Sequence, residues 1–152
     1  MRYNNLILPF LIIGFSIMST SCNKDDEAYS SGNTGGNNTS KVSQPVFDKN
    51  LTTTTTSDVS FRCRFTNGGD TWENMNCVVH WRQYSSKPST TPKTSDMTKH
   101  EQMRQYATTS TKTTFDKTHT GFSGGTYVYY YFECKNSKFV TKKNITYCIV
   151  KR

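Results

Sequence analysis

The chain has 152 residues, 19 Lys and Arg against 11 Asp and Glu for a net charge of +8, and 33% apolar residues. That length supports one domain of ordinary size. Its long apolar run, the 13 residues Leu6 to Met18, rises only about 20 Å as a helix, which excludes a span across the roughly 30 Å hydrocarbon core of a bilayer.

The first element is that run. Arg2 and the amino terminus precede it, and Pro9 and Gly14 interrupt it, the layout of a cleaved export signal over residues 1–21. Ser19, Thr20 and Ser21 then lead into Cys22, a lone cysteine far upstream of the other four. This junction resembles the lipobox of bacterial lipoproteins, with Ser19 standing where that family usually has Leu. The resemblance implies cleavage before Cys22 and a diacylglycerol on its sulfur. Several acyl chains hold a protein on a membrane durably where one binds only marginally, because each buried methylene contributes about 0.8 kcal/mol. The next residues, Lys24, Asp25, Asp26 and Glu27, are an acidic burst in an otherwise basic chain. They resemble the signal that carries surface lipoproteins of the Bacteroidota to the outer face of the outer membrane. The expected location is therefore the outer membrane, lipid-anchored and facing the extracellular side.

Residues 28–44 are rich in Gly, Ser, Asn and Thr with almost nothing to bury, so residues 22–44 read as lipid attachment, export signal and flexible tether. Residues 45–152 form the domain and carry 16 Lys and Arg against eight Asp and Glu. A basic surface draws anionic partners by its long-range field and says nothing about fold. The threonines at 52–56 are an edge strand or more linker. From Val59 to Phe65 the period is two, with Val59, Phe61, Cys63 and Phe65 alternating against Ser60, Arg62 and Arg64. Asn67, Gly68, Gly69 and Asp70 break the strand. Cys77 to Tyr84 resumes it, with Cys77, Val79 and Trp81 on one side. A polar stretch follows in which Pro88 and Pro92 rule out a central strand, and Asp96 to Tyr106 reads as a short helix with a poor apolar stripe. Thr126 to Cys134 is the clearest strand: Val128, Tyr130, Phe132 and Cys134 face one way, Tyr127, Tyr129, Tyr131 and Glu133 the other. Asn144 to Val150 is the last, after a loop with Lys135, Lys138, Lys142 and Lys143. The fold class is all-β, an antiparallel sandwich.

Phe115 to Asn136 resembles the E-to-F region of fibronectin type III and related immunoglobulin-like sandwiches, with Gly121, Phe122, Gly125 and Thr126 at the corner and Asn136 at the turn. Gly124 stands in place of the corner proline. The resemblance implies binding, adhesion or spacing, and it carries no catalytic residue. In an oxidising compartment Cys63, Cys77, Cys134 and Cys148 imply two disulfides. The immunoglobulin layout suits Cys63 with Cys134, leaving Cys77 and Cys148; the alternative joins Cys63 to Cys77 and Cys134 to Cys148, and it is narrowly preferred. The cysteine spacings of 14, 57 and 14 contain no metal knuckle, so no metal or other cofactor is expected.

Three histidines, no H-E-x-x-H, no G-x-S-x-G and no paired carboxylates argue against an enzyme. The expected activity is binding. If they face outward, Tyr127, Tyr129 and Tyr131 make an aromatic strip bordered by Arg82, Lys135 and Lys138, fit for an acidic glycan or a partner protein; nucleic acid is not expected. The competing accounts are cross-strand packing that covers the rings, and a structural spacer or assembly subunit with no ligand site.

Overall fold

The computed structural model describes residues 42–152, so the expectations for the export signal, for Cys22 and for Lys24, Asp25, Asp26 and Glu27 lie outside the described residues. The strands in chain order are β1 (Phe47–Asn50), β2 (Thr53–Thr54), β3 (Asp58–Thr66), β4 (Asn76–Tyr84), β5 (Lys99–Thr108), β6 (Lys112–Thr120), β7 (Tyr127–Lys135), β8 (Val140–Lys142) and β9 (Thr146–Ile149). Alternation dictates their faces. β3 buries Val59, Phe61, Cys63 and Phe65 completely and turns Ser60, Arg62 and Arg64 outward. β7 likewise sends Val128, Tyr130, Phe132 and Cys134 into the core, each fully buried.

All pairings are antiparallel. In the first sheet β3 lies between β6 and the two short strands β1 and β2. The threonine run is therefore an edge strand at Thr53–Thr54. In the second sheet β4 lies between β5 and β7, and β7 pairs on its far side with β8 and β9. β5 belongs to both sheets: Lys99 to Met103 pairs with β4, and Arg104 to Thr108 pairs with β6 across an irregularity at Tyr106. This crossing joins the sheets along one side of an immunoglobulin-like sandwich. Along the other side Thr54 Oγ1 donates to Ile149 O, Lys151 N to Thr55 O and Thr141 Oγ1 to Pro45 O.

The helix expected from Asp96 to Tyr106 is absent. A single 3-10 turn spans Thr94–Asp96 and β5 takes the rest. With only Met103 fully apolar on its inward side, the segment has no helical stripe to bury, whereas two strands already in place offer backbone partners on either side.

The core lies between the sheets and joins Phe61, Phe65, Trp81, Phe115, Phe122, Tyr130 and Phe132 with the smaller apolar residues. Each such side chain, fully buried, contributes about 1.5–3 kcal/mol. The β6–β7 corner tucks Phe122 beneath Trp81, ring centroids 5.1 Å apart. At Gly124 a Cβ would stand 2.8 Å from the Lys151 carbonyl oxygen, so this corner takes a residue without one. Asn136 holds the next turn: its Oδ1 accepts from the backbone of Lys138 and Phe139, and its Nδ2 donates to Ser43 O at 2.8 Å.

The two disulfides expected from the sequence are not seen in the structure. Cys63, Cys77, Cys134 and Cys148 are all buried thiols. Cys63 Sγ and Cys77 Sγ lie 3.7 Å apart, and Cys77 faces Cys134 across the β4–β7 ladder. Cys148 instead faces Val128. Six residues along β7 then separate it from Cys134, about 20 Å at the usual strand rise, so neither two-bridge pairing fits.

Candidate functional site

The outer face of the second sheet is built by the alternate residues of β4, β7 and β9. Tyr127, Tyr129 and Tyr131 do point there, as their spacing requires, but Tyr129 and Tyr131 are only 4% and 5% exposed. An open aromatic strip does not exist. The cover is the chain between β4 and β5: Met97 packs on Tyr129 and Tyr131, with Tyr84, Tyr127, Ile145 and Tyr147 around them. The rings hold one another. Tyr129 stacks on Tyr147 at 5.0 Å and meets Tyr84 edge-on at 5.6 Å, and Tyr131 stacks flat on His80 at 4.5 Å. Burial raises the hydroxyl pKa of both Tyr129 and Tyr131, so they stay neutral. Burial also lowers the pKa of His80, whose Nε2 is enclosed with no hydrogen-bond partner among the described residues.

Of the basic residues expected to border the strip, one is there. Arg82 lies over the Tyr84 ring at 5.3 Å and donates to Asp96 O, tying the covering loop to β4. Lys135 and Lys138 are elsewhere, at the far end of β7 and in the turn beyond it. Their place is taken by Lys87, whose Nζ is 5.6 Å from the Tyr147 ring centre, and by Lys142, paired with Glu133 at 3.0 Å. The Glu133 hydrogen bond raises the Lys142 pKa, so that ammonium remains charged through any physiological pH.

Where the covering loop reaches β8, it leaves an open groove of about 590 Å³. Thr91 and Thr94 of the covering loop line it together with Val140, Lys142, Lys143, Asn144, Ile145 and Gln44. Gln44 Nε2 donates to Val140 O, which joins the first described segment to β8. Hydroxyls and amides beside two aliphatic side chains can hydrogen-bond a polyhydroxylated ligand, and Lys142, held on Glu133 at 3.0 Å, and Lys143, whose Nζ lies 4.9 Å from the Phe47 ring centre, add positive charge along the groove. The Lys142-Lys143-Asn144 run was visible in the sequence as a basic loop. What hid its importance was Thr91 and Thr94, some fifty residues away, which the covering loop brings to the same groove.

A second polar cluster sits where β5 leaves the second sheet. Glu101 accepts from Trp81 Nε1 at 3.2 Å, Lys117 Nζ at 3.1 Å and His119 Nδ1 at 2.8 Å. Burial pushes the Glu101 carboxyl up, but the Lys117 and Trp81 hydrogen bonds and the neighbouring cations outweigh it, and the net pKa is lowered. His119 also lies against the Trp81 ring at 4.6 Å. Glu101 is thus committed to three donors inside the fold. Among the described residues no group of three or more His, Cys, Asp or Glu could hold a metal ion. No family model, no curated protein and no solved structure matches this chain.

Proposed function

We propose that the protein is a lipoprotein of the outer-membrane surface whose β-sandwich binds an acidic glycan in the groove between the covering loop and the β8–β9 segment. The observation that carries the reading is the lining of that groove by Lys142 and Lys143 together with Thr91, Thr94 and Asn144. Lys93 stands between two of the lining residues, and the domain as a whole has a two-to-one excess of basic over acidic side chains. Hexuronate or sulfated sugars present carboxylate or sulfate for the ammonium groups and ring hydroxyls for the amides and threonines. Anchoring through Cys22 and display through Lys24, Asp25, Asp26 and Glu27 rest on the sequence alone, and they would put the groove where such polymers occur.

The test is binding of a uronic-acid or sulfated polysaccharide to the purified chain, by calorimetry at two salt concentrations. The Lys142→Ala/Lys143→Ala variant should bind about tenfold more weakly, the size expected for loss of a charge-assisted contact, while loss of the partly exposed Lys142–Glu133 pair should cost under about 1 kcal/mol of stability. A wild type that binds none of these polymers overturns the reading. So does a double variant that binds as well as wild type. The burial of Tyr129 and Tyr131 favours a second account, a spacer or assembly subunit without a ligand site, and an absence of glycan binding would leave that account standing.

A further inference from the structure

We propose that the protein forms a single disulfide, Cys63–Cys77, joining its two sheets, and that Cys134 is a reserve thiol able to take the place of Cys63. Three sulfurs converge and one does not. Cys63 projects from β3 of the first sheet and Cys77 from β4 of the second, with their Sγ atoms already at 3.7 Å. A disulfide would bring them from there to a bond length of about 2 Å. Cys77 also faces Cys134 on the adjacent strand β7, so the same sulfur has a second partner within its own sheet. Cys148, opposite Val128 near the start of β7, is beyond the reach of all three.

The chemistry balances with a disulfide oxidant, either a protein disulfide or glutathione disulfide. One cysteine thiolate attacks the oxidant and releases half of it as a thiol. The second thiolate then displaces the other half, so the oxidant leaves as two thiols and the protein loses two protons and two electrons. In the finished fold this is slow. Burial raises the Cys63 and Cys77 pKa, and the Cys77 contact together with burial raises that of Cys134, so thiolate is scarce and the core is closed to an oxidant. The bridge therefore forms as the sheets come together. Packing of the two sheets brings Cys63 to Cys77 across the interface, and strand register places Cys134 beside Cys77.

The experiment refolds the reduced full-length chain in a glutathione redox buffer, blocks free thiols with N-ethylmaleimide in denaturant and maps the peptides. Because the oxidation is done on purified chain, the result is independent of where the protein resides. Wild type should show Cys63–Cys77 with Cys22, Cys134 and Cys148 alkylated, and Cys134→Ala and Cys148→Ala should leave that bridge unchanged. Cys63→Ala should move the bridge to Cys77–Cys134. Oxidised wild type should melt about 10 °C above its reduced form. A bridge to Cys148, a wild-type bridge between any other pair, five free thiols, or equal melting of the two forms overturns the single staple. A Cys63→Ala chain with Cys77 and Cys134 both alkylated overturns the reserve role, and wild-type mapping stands even where a variant fails to fold.

Discussion

The outer faces of the two sheets come from strands with the same alternation and solve opposite problems. On the first sheet the outward residues of β3 and β6 are hydroxyls and ions: Ser60 and Thr118 hydrogen-bond at 3.0 Å, Asp116 accepts from Arg104 at 2.8 Å and lies 3.7 Å from Arg62, and Asp48 bridges Arg64 and Lys112. Tyr106 adds a ring 4.2 Å beneath the Arg62 guanidinium. That face needs no apolar cover, because the buried Asp116 is held by Arg62 and Arg104, whose own side chains stay partly exposed to water. On the second sheet the outward residues of β4, β7 and β9 are mostly rings, and a face of rings in water is costly. The loop between β4 and β5 closes over it through Pro92 and Met97, both buried. The difference shows that a period of two assigns a residue to a face without saying whether the face is wet.

The comparison predicts unequal responses to truncation. Tyr131→Ala should destabilise most, by about 3 kcal/mol in urea unfolding, because it empties a space enclosed by Met97 and His80. A loss below about 1 kcal/mol would show that the second face behaves as surface. Met97→Ala comes next, at about 2 kcal/mol, and should raise tyrosine accessibility to a quencher as the cover loosens. Asp116→Asn should cost about 1–2 kcal/mol, since it leaves Arg62 and Arg104 facing a neutral amide, and wild-type stability in the variant would mean the ion pairs contribute nothing. Lys112→Ala should cost under about 1 kcal/mol and lose even that in high salt.

Acid should separate the faces by pH. The Lys112 and Arg64 contacts outweigh burial and lower the Asp48 pKa from its ordinary 3.8. Its contribution is thus whole above that value and lost as pH falls through the folded pKa. His80 is also lowered, by burial, from 6.5, so the unfolded chain takes up its proton first and stability begins to fall below pH 6.5. A melting-temperature profile should show a shallow decline starting there, absent in His80→Gln, and a further loss in the carboxylate range that His80→Gln keeps. A wild-type profile flat from pH 7 to 5 would remove His80 as its source.

Legibility followed distance along the chain. β3 and β7 were plain because their alternation is written in seven to nine consecutive residues, and the corner at Gly121 to Thr126 because its turn chemistry is local. β5 was misread as helix because its identity comes from β4 and β6, its partners on either side, and not from its own weak pattern. The candidate groove was half visible: Lys142 and Lys143 showed as a basic loop, while Thr91 and Thr94 had no signal of their own.

The order of residues along the chain was enough for the all-β class, for which side chains face inward on β3, β4 and β7, and for the turns at Gly68 and Asn136. These depend on backbone pleat and turn conformation, which neighbouring residues set. Which sulfurs meet, which tyrosines are covered and which lysines share a groove were decided only in the assembled sandwich. Each depends on register between strands and on where a long loop comes to rest, and both are fixed by packing across separations of many tens of residues that no local pattern encodes.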